Sequence, residues 1–348
     1  MLSWPRRVRL APWMESRLAR RVQVGLLLLA LVVVPPRLNN YAITVLTGIG
    51  LYTMLGLGLN IVVGYAGLLD LGYAAFFAIG AYATAYLMTT HNLSFWLMLP
   101  LGALLAALFG IIIGAPTLRL RSDYLAIVTL GFGEITRIAA TNLNITGGPN
   151  GLYGVPQPTV GRFVFQTPLH YYYLSFVLVL VTLVCVSRLA NSRIGRAWAY
   201  IREDELAAEA MGINTVRVKL LAYALGAVWA GVAGCFLAVQ LSAISPESFT
   251  FNQSVTILIV VVLGGLGSIP GVILGAVVVA VVPEVLRSFE AWRLFLYALA
   301  LIALMIFRPE GLWPSRQRKR EMRSYDVALV GAPEAAAEAE SVGSKGRS

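Results

Sequence analysis

Charge is scarce in this chain. Asp, Glu, Lys and Arg together make up 13% of its 348 residues, about half the share of a soluble globular domain. Hydrophobic residues take 58% and the mean hydropathy is +0.76, which excludes a water-soluble globule, a disordered chain and a collagen-like fibre. Two cysteines, Cys185 and Cys235, are too few for a disulfide scaffold. Both lie in apolar runs, where packed, reduced thiols are expected. His91 and His170 leave little for a metal site. No Gly-x-x-x-x-Gly-Lys-Ser/Thr phosphate loop, His-Glu-x-x-His or Gly-x-Ser-x-Gly occurs. Gly265-x-Gly267 lacks the third glycine of a dinucleotide fingerprint, because Pro270 stands there. The expectation is a chain with no catalytic residue, no metal and no cofactor of its own. Any driving energy then comes from a partner or an ion gradient.

What is present is a series of apolar runs long enough to cross about 30 Å of hydrocarbon. They predict spans near 22–38, 41–63, 68–90, 96–115, 123–142, 170–188, 218–241 and 294–308. Between 254 and 286 the apolar run is broken by Gly264-Gly265-Leu266-Gly267-Ser268-Ile269-Pro270-Gly271. That stretch is too long for one span and too short for two, which fits two short helices or a re-entrant hairpin. The net charge of +10 could point to nucleic acid, but its distribution points to a membrane. With the N-terminus inside, 22 of the 27 Lys and Arg fall on inside segments: six at 6–21, two at 119–121, six at 188–219 and eight from Arg308 onward. This reading gives an all-α polytopic membrane protein with eight full spans plus a hairpin, or ten helices, and both termini cytoplasmic. The first apolar run has no small-residue cleavage site after it and is read as a retained span. The blocks 41–142 and 218–308 then run in opposite orientations, the arrangement of an inverted repeat. The predicted divisions are a basic arm at 1–21, a transmembrane domain at 22–308 with an inside loop at 189–219, and a basic tail at 309–348 that ends in a disordered stretch and meets lipid headgroups.

Polar groups at membrane depth mark the candidate sites. The stretch from Gly56 to Gly80 carries six glycines in 25 residues. Glycine there lets helices approach closely, or lets one unwind and offer backbone dipoles to a polar cargo. Asn60, Gly64, Gly67, Asp70 and Gly72, with Gly264, Gly265 and Gly267, are candidates for the translocation path. Asp70 is read chiefly as the cap of a helix starting at Leu71. Glu134 and Arg137 share a helix face and neutralise one another as an intramembrane ion pair that should face the protein interior. In the inside loop, Arg202-Glu203-Asp204-Glu205 opens a short helical stretch ended by Gly212 and Asn214. It suits either a helix lying on lipid or a docking point for a cytosolic motor.

Several of these motifs carry a resemblance. RLRSDYLAIVTLGFGEITRI (119–138), ITGGPNG (145–151), SRIGRAWAYIREDE (192–205), SPESFTFNQS (245–254), VVLGGLGS (261–268) and RPEGL (308–312) resemble, in order, the permease subunits of bacterial high-affinity branched-chain amino acid importers of the ATP-binding-cassette class. The run from Asp204 to Asn214 is similar to their Glu-Ala-Ala…Gly coupling loop. The resemblance implies a type II-like importer fold in the bacterial inner membrane and a homologous permease partner. It implies two cytoplasmic ATP-binding subunits that hold the Mg-ATP, and a periplasmic amino-acid-binding protein. It assigns coupling to Asp204, Glu205, Ala207, Ala208, Glu209 and Gly212. Many such permeases carry a Gln and a His where this chain has Leu68 and Tyr73, which weighs against side-chain readout of substrate there. Alternatives are the same architecture for another amino acid or a urea-like amide, and an ion-coupled secondary transporter. The scarcity of carboxylates at mid-membrane counts against the latter.

Overall fold

The computed structural model describes residues 29–118, 122–161, 163–286, 295, 298–299, 302, 306 and 311–313. The arm at 1–21, most of the span expected at 294–308 and nearly all of the tail lie outside the described residues. Of the span expected at 22–38, residues 29–33 are helical and Pro35–Arg37 form a 3-10 turn. Tyr172 and Tyr173 tie this helix end down, donating to the carbonyls of Leu31 and Val32 at 2.8 and 2.9 Å. Those carbonyls belong to a last turn that has no helical donor of its own.

The described elements are nearly all helix: α1 (Asn40–Leu59), α2 (Tyr73–His91), α3 (Phe95–Thr117), α4 (Ser122–Asn142), α5 (Pro168–Ala190), α6 (Arg193–Glu203), α7 (Glu205–Ala210), α8 (Thr215–Leu241), α9 (Phe251–Gly264) and α10 (Ile269–Val285). Four helical stretches, Asn40–Tyr65, Phe95–Thr117, Pro168–Ala190 and Thr215–Leu241, are long and apolar enough to cross a membrane. Two short antiparallel strand pairs decorate the loops: β1 (Leu152–Tyr153) with β4 (Ala243–Ile244), and β2 (Thr159–Val160) with β3 (Phe163–Val164).

Helix α8 is the central post, packed against α3, α2 and α1. Hydrocarbon offers no hydrophobic drive between helices, so contact relies on small residues that admit close backbones. Helix α3 supplies them at every fourth position, Gly102, Ala106, Gly110 and Gly114, all buried. These face Tyr223, Ala227, Gly231 and Cys235 of α8. Beside α3 on α8, Gly80 of α2 lies against the Gly231 backbone, and Gly234 lies against Phe77 and Ala81. Cys235 is fully buried and its thiol donates to the Met98 carbonyl at 3.3 Å. Cys185, expected to be packed, is instead exposed on α5. Its helix turns an apolar side outward, with Val177, Val181 and Val184 also exposed.

The interruption at 264–271 is resolved as two short helices. Helices α9 and α10 contain 14 and 17 residues, about 21 and 26 Å, less than a bilayer core. They fold back on one another, Gly264 against Gly271 and Gly275 against Val260. Gly265 and Gly267 turn the hairpin at positive φ of 116° and 75°. The chain returns to this turn at 311–313, where the Leu312 and Trp313 amides donate to the carbonyls of Leu263 and Gly264 at 2.8 and 3.0 Å.

A Cβ at Gly231 would stand 2.6 Å from the Gly102 carbonyl and 2.7 Å from the Ala106 Cβ, while one at Gly131 would meet nothing within 4 Å. Gly231→Leu should therefore force α3 from α8 and cost about 1–3 kcal/mol or more. Thermal unfolding of detergent-purified protein should show a clear loss for Gly231→Leu and none for Gly131→Ala.

Candidate functional site

Three pieces of chain meet at one end of the bundle. The first is the end of α1. There the ladder widens into a π-helical turn, Asn60–Tyr65, a form frequent at functional positions. The turn closes with Ala66 N donating to Ile61 O at 3.2 Å and Leu68 N to Val62 O at 3.0 Å, with Gly67 at φ 72°. The second piece is the hairpin turn. The buried Asn60 side chain accepts from the Gly267 amide at 2.9 Å. Only glycine fits at 64, since a Cβ would sit 2.6 Å from that same Gly267 nitrogen. The third piece is the segment 191–214.

That segment contains one more helix than its sequence suggests. Helix α6 precedes the expected short helix, capped by Ser192, whose hydroxyl accepts from Gly195 N at 3.2 Å. Gly195, Trp198 and Ile201 form its buried face. Trp198 is fully buried and donates from Nε1 to the Val218 carbonyl of α8 at 2.7 Å. Helix α7 then begins at Glu205, with Asp204 Oδ1 accepting from the Leu206 and Ala207 amides at 2.9 and 3.0 Å. It ends at Gly212, φ 83°, where Gly212 N donates to Glu209 O and Ile213 N to Ala208 O. This is the left-handed glycine ending. Lys219, nearly buried at the start of α8, pairs with Glu205. Thr215 donates to Glu209 at 2.7 Å.

The coupling candidates therefore divide by what they touch. Asp204, Glu205, Glu209 and Gly212 shape α7 and fasten it to α8, and Ala208 is buried beneath it. Ala207 faces outward. The large apolar side chains that α7 and its end expose are Leu206 and Met211, 78% and 83% exposed. The sequence reading passed over both. The signal was an apolar residue beside a capped charged turn, which only the backbone could orient.

The path candidates fall into three clusters. Asn60, Gly64, Gly67 and Gly267 meet at the node just described. Gly264 and Gly265 serve the hairpin and the 311–313 segment, with Gly311 against Gly265. Asp70 and Gly72 pack against α4. The helix expected at Leu71 starts instead at Tyr73, and Asp70 closes a turn before it: Oδ1 accepts from Gly72 N at 2.8 Å. Leu71 N donates to the Thr129 hydroxyl at 3.1 Å, and a Cβ on Gly72 would stand 2.0 Å from the Thr129 carbonyl. Asp70 is buried, with Thr129 and Tyr223 as polar neighbours. Its Oδ2 and the Tyr223 hydroxyl make no hydrogen bond of normal geometry among the described residues. Tyr73 spends its hydroxyl on the Gly226 carbonyl at 2.8 Å, and Leu68 is buried.

Glu134 and Arg137 form the expected pair, Arg137 Nε donating to Glu134 Oε2 at 2.9 Å. Glu134 lines a small cleft with Leu71, Ala74, Phe249 and Ser254 from neighbouring elements. The side chains of the pair are about one-third exposed, at 33% and 34%, near the middle of α4, whose face also shows Ile127, Ile135 and Ile138. Leu125, Ala126, Thr129 and Ala140 of the same helix are buried.

Residues 41–307 match the family model described as branched-chain amino acid transport system / permease component. The chain belongs to this family. It is 40% identical over 273 residues to the high-affinity branched-chain amino acid transport system permease protein LivM of Salmonella typhimurium, and equally to that of Escherichia coli. Those matches cover 72% of this chain and 64% of each relative, so the chain spans less than two-thirds of their length. It is also 34% identical over 124 residues to the permease protein LivH of Salmonella typhimurium, 35% of this chain and 40% of that one. No solved structure matches. The chain is thus a multi-pass membrane protein of a transport family.

Asp204→Ala in this chain removes the cap of α7, worth about 1 kcal/mol. Hydrogen exchange at the Leu206 and Ala207 amides should accelerate about fivefold, while exchange in α8 stays unchanged.

Proposed function

We propose that this chain is the transmembrane permease subunit of an ATP-driven importer for branched-chain amino acids in the bacterial inner membrane. It forms the translocation path with a homologous permease subunit. Two cytoplasmic ATP-binding subunits hold the Mg-ATP and do the hydrolysis, and a periplasmic amino-acid-binding protein delivers the cargo. The observation that carries this reading is the α6–α7 arm. It is fixed to α8 by Trp198, Lys219 and Thr215, and it turns Leu206 and Met211 outward. A rigid lever with an uncovered apolar tip suits a docked motor; a helix lying on lipid needs no such anchoring.

The cargo fits the same picture. A branched-chain amino acid is a zwitterion with an oily end, and its route needs apolar walls and a few backbone dipoles rather than a strong fixed charge. Selectivity then resides in the delivery protein, and the permease alternates between outward and inward openings of similar energy. On this reading both termini are cytoplasmic, eight spans and a hairpin cross or enter the bilayer, and 41–142 and 218–308 form an inverted repeat. The return of 311–313 to the hairpin turn, beside the arm, supports that parity.

The test is uptake of radiolabelled leucine by proteoliposomes holding the full transporter with the loaded binding protein outside and ATP inside. Leu206→Asp with Met211→Asp should cut ATP-driven uptake at least about tenfold, with the permease still in the membrane. Glu209→Lys and Gly212→Val should do the same by unfastening the arm. Undiminished uptake in all of these would overturn the coupling assignment.

A further inference from the structure

We infer that Arg202 is the positioning residue through which the α6–α7 arm moves the two broken membrane segments. The inference rests on the importer reading above and goes beyond its coupling loop, because Arg202 does not face the docking side.

Arg202 is the last arginine of α6, one residue past the buried Ile201. Its guanidinium donates to the Gly64 carbonyl at 2.6 Å. In an unbroken α-helix that carbonyl would accept from the Leu68 amide. The π-helical turn diverts Leu68 N to Val62 O, so the Gly64 oxygen is left for a donor from another element. The aliphatic stem is held as well: a Cβ on Gly67 would stand 2.8 Å from the Arg202 Cγ. On the far side, a Cβ on Gly267 would lie 3.3 Å from the Gly64 carbonyl and 3.6 Å from Arg202 Nη1. One side chain thus reaches the end of α1, the loop after it and the turn between α9 and α10. Arg196, by contrast, turns back to the Asn191 carbonyl just before its own helix.

The mechanical consequence follows from what is rigid. Helix α6 is pinned to α8 by a fully buried tryptophan, and α7 by an ion pair and a hydroxyl. Arm displacement is therefore delivered as a rotation of α6, and Arg202 sits at its C-terminal end. The receiving elements are a π-helical turn and glycines at positive φ, whose backbone bonds have alternative partners within reach. Breaking the Arg202–Gly64 bond frees a carbonyl that the Leu68 amide can take by relaxing the π turn to α. That exchange would shift Asn60 and release the Gly267 amide from it. A charge-assisted bond to a backbone carbonyl at such a junction couples two states.

The experiment uses the assembled transporter in proteoliposomes and compares Arg202→Ala with Arg202→Lys. Lysine keeps a charged donor on a long stem. In Arg202→Ala, subunit recovery and basal ATPase should stay within about twofold of wild type. Stimulation of ATPase by leucine-loaded binding protein should vanish, and uptake should fall about tenfold. Arg202→Lys should recover a substantial part of both. Wild-type stimulation and uptake in Arg202→Ala would overturn the inference. So would a joint collapse of recovery and basal ATPase in both variants, the signature of a purely structural hold. Hydrogen exchange at 60–68 and 265–268 separates the two readings: it should rise in Arg202→Ala whatever the cargo. A wild-type complex that fails to carry leucine while this exchange difference persists counts against the cargo and leaves the positioning role standing.

Discussion

Every peptide N–H and C=O at membrane depth needs a partner, because hydrocarbon supplies none. The architecture depends on how that requirement is met where helices break. Two segments interrupt the bundle, 60–72 and 264–268, and they satisfy one another or borrow from neighbours. Asn60 serves the hairpin turn, Arg202 serves the π turn, and Thr129 and Asp70 serve the residues before α2. An irregular backbone is stable here only because it is enclosed in protein, and the enclosure ties it to the α6–α7 arm and to α4 at once.

The glycines perform different tasks for different reasons. On α3 and α8 they are spacers: without Cβ atoms, two backbones come close enough for dispersion and carbonyl contacts to hold them. At 67, 212, 265 and 267 they supply positive φ, where a side chain would be strained. At 64 and 72 they make room for a neighbouring backbone at distances no Cβ tolerates. A glycine-rich sequence at membrane depth thus gave both a packing reading and an unwinding reading. The chain uses one in α3 and α8 and the other in 60–72.

Several elements were legible beforehand because their signal is local. Long apolar runs gave the spans of α1, α3, α5 and α8. The Gly-Pro cluster gave the hairpin, and Glu134 with Arg137 three residues apart on a helix gave the ion pair. The rest required neighbours. Helix α6 was missed because Arg193 to Glu203 carries only three buried residues among many charges, a pattern that reads as a solvated loop until Trp198 has α8 to pack on. The start of α2 slipped to Tyr73 because Thr129 competes for the Leu71 amide.

The sequence by itself determined that this is a polytopic membrane protein of a permease family, with a charged loop between two apolar runs and a glycine-broken apolar stretch at 254–286. Composition, hydropathy and motif order are additive along the chain, so they survive without coordinates. Tertiary structure decided which glycine spaces and which bends, which members of the 204–212 run fasten the arm and which face outward, and that Arg202 reaches the broken end of α1. Those outcomes turn on distances between residues far apart in sequence, and no local preference encodes them.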